Sequence, residues 1–242
     1  MSAVFNPVVM RITFRATMSR KRALLFAIPA VILIGISGLL KATQPTATQW
    51  PPAFLGTFGF SVVLPLTALI IGTSVLGAEI DDGSIIHLLA TPVRRSAVVF
   101  SKFAVAVVLT ITFAAVPELL AGLIATGPTK LTAGIFAGAL AAAVIYNAIF
   151  VMVSVLTTRA IAVGLLYLVV WEGLLVNLVS GASELSAGQY SLGIANAIAH
   201  NSNLNAHLSL STAVILGVIV TAVTLALAVR ALSAFSLKGE SV

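Results

Sequence analysis

Residues 131–156 read LTAGIFAGALAAAVIYNAIFVMVSVL, a run of 26 residues without a charged side chain. A helix needs about 20 apolar residues to cross the hydrocarbon layer of a bilayer. The run is therefore long enough to span a membrane as one helix. It also contains Gly134 and Gly138 in a GxxxG pattern, which allows another helix to approach closely. The stretch predicts a membrane-spanning helix that packs tightly against a neighbour.

Five further apolar stretches of similar length flank this run and predict an all-α, polytopic membrane protein. The composition agrees, because 60% of the 242 residues are hydrophobic and 8% are charged, whereas soluble domains carry about 25% charged residues. Cysteine is absent, which excludes disulfides and thiolate chemistry. Without repeats or low-complexity linkers, residues 1–242 read as one transmembrane domain. The six predicted spans are 23–40, 53–77, 97–125, 131–156, 161–179 and 211–232.

The basic residues lie mainly in alternate inter-span segments and so predict the orientation. Only Lys41 and Lys130 fall on the opposite side from the termini. Because cytoplasmic loops carry the excess of Lys and Arg, both termini are predicted to be cytoplasmic. In this context the net charge of +6 indicates topology and not nucleic-acid binding. The 11 residues on the predicted inner side are Arg11, Arg15, Arg20, Lys21, Arg22, Arg94, Arg95, Lys102, Arg159, Arg230 and Lys238.

Residues 1–22 are predicted to form a basic flank with an amphipathic helix on the membrane surface over 5–22. Asn6 can cap this helix, and Pro7 suits its first position. A basic face beside an apolar face fits the anionic cytoplasmic interface. The alternative is a basic flank that only orients the first span. The basic face holds Arg11, Arg15 and Arg22, and the apolar face holds Phe5, Val8, Val9, Ile12 and Ala16.

The segment 78–96 lies on the predicted cytoplasmic side, within the sequence GAEIDDGSIIHLLATPVRRSAVVFSKF of residues 77–103. Asp81 and Asp82 suit a helix N-terminus, and Thr91-Pro92 ends the helix because a residue before proline disfavours helical geometry. Exposed apolar side chains on such a short helix favour a protein partner. The alternative is an ordinary loop packed on the ends of the protein's own helices.

The order of residues in this segment is similar to a pattern of ABC-2-type transporter permeases. Those proteins more often have Thr at the position of Ser84. The resemblance extends to the six spans, the cytoplasmic termini, the basic surface helix and the long last outer loop. The matching residues are Glu79, Gly83, Ser84, Leu88, Leu89, Thr91, Pro92, Val93, Arg95 and Lys102.

The resemblance implies that residues 78–96 are a coupling helix that docks on a separate ATP-binding cassette subunit. It implies two permeases, identical or paralogous, with two ATPase subunits in a prokaryotic plasma (inner) membrane. It also implies export of an apolar or amphipathic substrate by ATP-driven alternating access, with the second and fifth spans lining the cavity. The coupling residues it implies are Glu79, Asp81, Asp82, Gly83, Ile86, Leu88, Leu89, Pro92 and Arg95.

The chain itself is expected to be no enzyme, since it lacks the phosphate-binding sequence G-x-x-x-x-G-K-[ST]. ATP and Mg are expected on the partner subunit, with no cofactor or metal held by this chain. An intramembrane enzyme is disfavoured because all three histidines lie in loops and cysteine is absent.

Glu118, Asn147 and Glu172 are polar residues within predicted spans and therefore candidates for the transport pathway. Their alternative role is to join helices through hydrogen bonds. A second function remains open on the same carboxylates, that of a stand-alone secondary transporter or channel using Glu118 and Glu172. The outer segment 180–210 contains an apolar stretch, 185–199, that is predicted to lie at the outer interface or to re-enter the membrane as a short helix.

Overall fold

The computed structural model describes residues 5–81, 94–179 and 181–238, and this part of the chain is helical without a β-strand. The all-α prediction is therefore confirmed there. Helices α3, α4 and α6 each contain a π-helical middle segment. In chain order the helices are α1 (Pro7–Thr17), α2 (Arg20–Thr43), α3 (Trp50–Phe54, Leu55–Val63, Leu64–Asp81), α4 (Arg95–Thr110, Ile111–Ala115, Val116–Thr126), α5 (Lys130–Leu156), α6 (Ala160–Leu166, Tyr167–Leu175, Val176–Leu178), α7 (Ala187–Ala199) and α8 (Leu210–Lys238).

Five helices of the described chain are long and apolar enough to cross a membrane, and each matches a predicted span to within three residues at either end. They belong to α2, α3, α4, α5 and α8, which makes the chain a multi-pass membrane protein. The five spans are Arg22–Thr43, Trp50–Gly77, Arg95–Thr126, Lys130–Leu156 and Leu210–Ala234.

The predicted span 161–179 takes a different form. It gives α6, whose apolar part Ala160–Leu175 is shorter than the other five. The helix ends after Leu178 because Val179 is extended, with φ −108° and ψ 120°. Hydropathy predicted the apolar character of this stretch correctly, but its helix is not among the five that meet the length of a span.

Helix α5 lies at the centre of the bundle. In its most apolar window 72% of the residues are buried within the protein, against 22% for α2. It packs against α3, α4, α6, α7 and α8. Its sequence permits this because many of its buried positions carry Gly or Ala, and small side chains let helix backbones approach closely in a membrane.

The closest of these contacts joins α5 to α7, the helix formed by the apolar stretch 185–199. A Cβ atom on Gly138 would lie 2.6 Å from the Ser191 carbonyl oxygen, and one on Gly134 would overlap the Ala195 carbonyl oxygen. The N-terminus of α7 lies beside Tyr146 in the middle of α5, whereas its C-terminus lies beside Gly134 near the start of α5. Thus α7 runs along nearly half the length of α5, and the GxxxG pattern serves packing within the chain.

Two of the three π-helical segments end two residues before a proline. In α3 the segment Leu55–Val63 precedes Pro65, and in α4 the segment Ile111–Ala115 precedes Pro117. Proline has no N–H to donate, and its ring clashes with the carbonyl four residues back. A wider turn relieves the clash, as shown by the Val116 N–H, which donates to the Ile111 carbonyl five residues back. Both π-helical segments are thus explained by the proline that follows them.

Helix α1 is capped as predicted, since the Asn6 side chain accepts hydrogen bonds from the Val8 and Val9 N–H groups. Its extent needs a correction, because Met18 and Ser19 interrupt the predicted 5–22 helix. Arg22 therefore lies on α2, where its guanidinium donates to the Ala16 carbonyl.

A chain of contacts fixes α1 to α4. The Asn6 N–H donates to the Ser101 hydroxyl at 2.8 Å, and the ring of Phe5 packs edge-on against Phe100 at 6.4 Å between centroids. On the opposite side of α1, two pairs of side chains face away from the protein. The apolar pair is Val8 and Ile12, and the basic pair is Arg11 and Arg15. Only part of each predicted face is therefore available to a membrane surface. Val9 of the predicted apolar face is buried and Phe5 contacts α4, whereas Arg22 of the predicted basic face belongs to α2.

The close α5–α7 contact predicts opposite effects for two glycine-to-alanine substitutions. Gly134→Ala is expected to lower stability by about 1–3 kcal/mol, because the added methyl displaces the α7 backbone. Gly35→Ala on α2 is the matched control, since a Cβ there meets nothing within 4 Å and alanine favours helix. Thermal unfolding in detergent, followed by size-exclusion chromatography, measures both. Equal melting temperatures for the two variants would contradict the contact.

Candidate functional site

Glu172 joins α6 to the start of α7 through three hydrogen bonds to its carboxylate. The Tyr167 hydroxyl donates to Oε1 at 2.8 Å, the Ser186 hydroxyl donates to Oε2 at 2.5 Å, and the Ala187 N–H donates to Oε1 at 2.9 Å. Tyr167 is itself held by Phe150 of α5, with the two rings edge-to-face at 6.3 Å. The carboxylate is thus oriented by groups from two helices and by the packing of a third.

These hydrogen bonds provide partners for the free N–H groups at the N-terminus of α7. The first N–H groups of a helix have no partner within it, and a negative charge there is favoured by the helix dipole. Ser186 is the N-cap, and its hydroxyl accepts from the Gln189 N–H at 3.1 Å while donating to Glu172. Glu172 takes the neighbouring Ala187 N–H. The carboxylate therefore anchors α7 to α6.

Sequence reasoning found Glu172 but missed Tyr167, Ser186 and Gln189. A signal for two of them was present, because Ser186 and Gln189 have the spacing of a capping box, in which Ser or Thr is followed three residues later by Glu or Gln. The Gln189 side chain instead accepts from the His207 N–H at 3.1 Å and so ties α7 to the loop before α8. Tyr167 leaves no comparable pattern in the sequence.

A cavity of about 280 Å³ lies beside this cluster. Its wall combines apolar side chains with hydroxyl, carboxylate and amide groups, a mixture typical of a small-molecule site. The helices α3, α5, α6 and α7 all contribute to it. Its polar lining residues are Thr57, Ser61, Tyr146, Glu172, Ser186 and Gln189.

The other two predicted pathway residues lie away from the wall of this cavity. Asn147 is fully buried, and its Nδ2 donates to the Thr110 hydroxyl at 2.8 Å and to the Ala143 carbonyl at 2.7 Å, so it links α5 to α4. Glu118 is fully buried on α4 and faces Gly59 of α3. Of the three, only Glu172 lines the cavity, and a role in transport stays a prediction for each.

The predicted coupling residues fall mostly between α3 and α4. Asp82, Gly83, Ile86, Leu88, Leu89 and Pro92 lie outside the described residues. Glu79 and Asp81 belong to the last turn of α3, with side chains outside the described part, and Arg95 begins α4. Just inside these ends, the buried Lys102 ammonium of α4 donates to the Val75 carbonyl of α3 at 2.6 Å. The two helices that flank the segment are therefore bonded to each other.

The sequence was compared with protein families and with curated proteins. A family model described as ABC-2 family transporter protein matches residues 18–183, which is more than half of the chain. No curated protein matches the sequence significantly. The matched range includes α2 to α6 and the carboxylate of Glu172, but α7 and α8 lie beyond it.

Removing the Glu172 carboxylate is expected to loosen α7. Glu172→Ala leaves the Ala187 N–H and the Ser186 hydroxyl without their acceptor, at a cost of about 1–3 kcal/mol. The rate of deuterium exchange in peptides from 186–199, measured by mass spectrometry, should rise about 5- to 150-fold. Glu184→Ala is the control, because this nearby carboxylate is exposed. Uptake as slow in Glu172→Ala as in wild type would contradict the anchor.

Proposed function

Because the chain belongs to the ABC-2 transporter family, we propose that it is the membrane-spanning permease of a transporter driven by a separate ATP-binding subunit. The observation that carries the proposal is the family match over residues 18–183 together with the five long apolar helices. The chain lacks a phosphate-binding loop in its sequence, so ATP and Mg bind to the partner. The permease converts closure of that partner into movement of its own helices.

The proposed docking site is the segment 78–96 between α3 and α4. Its apolar residues contact the ATP-binding subunit, and its acidic and basic ends fix the orientation. The bond from Lys102 to the Val75 carbonyl supports this role, because a displacement of the segment reaches both helices together. Two copies of the permease, or one copy and a paralogue, assemble with two ATP-binding subunits.

The proposed topology has six crossings with both termini in the cytoplasm of a prokaryotic cell. Helix α6 completes the count, since the helical stretch continues to Leu178 and tilt or local thinning of the bilayer accommodates short helices. Helix α7 then enters the membrane from the outside alongside α5, with its N-terminus near the middle of the bilayer. The basic face of α1 lies on the cytoplasmic leaflet.

Transport in this scheme proceeds by alternating access. The cavity bounded by α3, α5, α6 and α7 receives an apolar or amphipathic substrate, and its polar groups orient it. Outward movement of α7 opens the cavity to the outside, and the Glu172 anchor defines the closed position. Export is the direction proposed from family analogy.

Charge exchange within the docking segment tests the partnership. A double variant with Glu79→Lys and Arg95→Glu keeps the net charge but reverses the ends of the segment. We expect wild type to co-purify with an ATP-binding cassette subunit and the variant to lose it. The matched control exchanges exposed charges outside the docking segment, with Lys130→Glu and Glu184→Lys. If wild type is stable and recovers no ATPase, the permease proposal is wrong.

The sixth crossing is tested with single cysteines, which the native chain does not contain. Thr158→Cys lies in the turn before α6, and Asn203→Cys lies in the loop after α7; both positions are exposed. If α6 crosses the membrane, an impermeant maleimide added to whole cells labels only Asn203→Cys, and Thr158→Cys reacts after lysis. Labelling of both positions from the same side would reject the crossing by α6.

A further inference from the structure

Glu118 is a buried carboxylate without a hydrogen-bond partner among the described residues. Its side chain is fully buried, and neither Oε1 nor Oε2 has a partner among the described residues. Glu172, the other carboxylate within the bundle, accepts three hydrogen bonds. The two acids that look alike in the sequence therefore occupy opposite environments.

Among the described side chains, the helices packed around Glu118 bring no charged partner into contact with it. The second half of α4 packs against α2, against the first part of α3 and against α5. The ionisable residues of those helices are Arg20, Lys21, Arg22 and Lys41 near the two ends of α2, Glu79 and Asp81 at the end of α3, and Lys130 and Tyr146 on α5.

An isolated carboxylate in such a place would carry the full cost of removing a charge from water, and buried groups in this situation become neutral instead. We propose that Glu118 is a proton-binding site, occupied in this conformation and closed by the backbone of α3 at Gly59. The proton stays on the carboxyl because the side chain is fully buried and no described group offers its charged form a hydrogen bond. Glu118 is thus a neutral carboxylic acid in the wall between α3 and α4.

Gly59 forms the lid because its bare backbone lies directly against the carboxyl of Glu118. A Cβ atom on Gly59 would overlap the Oε1 atom of Glu118. The lid belongs to the π-helical segment Leu55–Val63, and Pro117 beside Glu118 follows the π-helical segment of α4. A π-helical segment therefore contains the lid on one side and precedes Pro117 on the other.

Separation of α3 from α4 would admit water to the site. The carboxylic acid then ionises, leaving Glu118 as a carboxylate and passing one proton to the water that entered. If the docking segment drives that separation, each transport cycle releases and rebinds a proton at Glu118. This last step rests on the proposed function, whereas occupancy of the site in the closed state does not.

Infrared spectroscopy of the purified chain in lipid tests the occupancy without any partner subunit. We expect the spectrum of wild type minus Glu118→Gln at neutral pH to contain the carbonyl-stretch band of one protonated carboxylic acid per chain. Glu172→Gln is the control and should retain that band. A difference spectrum that contains only carboxylate bands would overturn the proposal, as would loss of the protonated-acid band in Glu172→Gln alone.

The lid is tested with a second pair of substitutions. Gly59→Ala is expected to displace the carboxyl and to shift or remove the same band, while Gly77→Ala on the same helix should leave it unchanged, because a Cβ there lies 3.9 Å from its neighbour. An unchanged band in Gly59→Ala would reject Gly59 as the lid. If Glu118→Gln fails to fold, the wild-type spectrum is compared instead with that of the double variant Gly59→Ala with Glu118→Ala. In that variant the methyl group added at position 59 fills the space that the shorter side chain at position 118 leaves.

Discussion

The approach of α7 to α5 at Gly134 and Gly138 is the contact on which the candidate site depends. At this distance the backbones touch, and the start of α7 is carried into the bundle beside Tyr146. A helix start buried there needs an acceptor for its free N–H groups. Glu172 supplies that acceptor from α6. The small residues of α5 thus explain why a carboxylate on α6 is needed at the start of α7. The cavity lies between these helices.

Polar groups also join α3 to α4 and α5 at three levels of the bundle. Near one end the Lys102 ammonium bonds the Val75 carbonyl. In the middle Asn147 bonds Thr110, with its unpartnered Oδ1 beside Gly72. Nearer the other end Glu118 faces Gly59. Hydrophobic burial gives little drive for helix association in lipid, so such contacts and close packing carry more of the specificity. The helices on either side of the predicted docking segment are consequently held in one register.

The sequence was sufficient for those features that depend on composition and local spacing. The spans, the Asn6 cap and the helical stretch 187–199 follow from hydropathy, proline and capping rules. What escaped prediction depends on partners far apart in the chain. Among the described residues Glu118 has no hydrogen-bond partner and lies against Gly59 of another helix, and the π-helical segments change hydrogen-bond register without changing hydropathy. The stretch 161–179 gave a helix with bounds within one residue of those predicted, yet only its part Ala160–Leu175 counts as apolar helix, which is shorter than a span.

The bond between Asn6 and Ser101 links two positions that are 95 residues apart, which has a consequence for biogenesis. At roughly 5–20 residues per second, a ribosome needs about 5–20 s to make the chain between them. Throughout that interval α1 has been synthesised, but the part of α4 that it contacts has not. The apolar side chains of α1, Val8 and Ile12 among them, must therefore be accommodated by lipid or by a chaperone until then. The amphipathic face that serves the finished molecule also protects the nascent one.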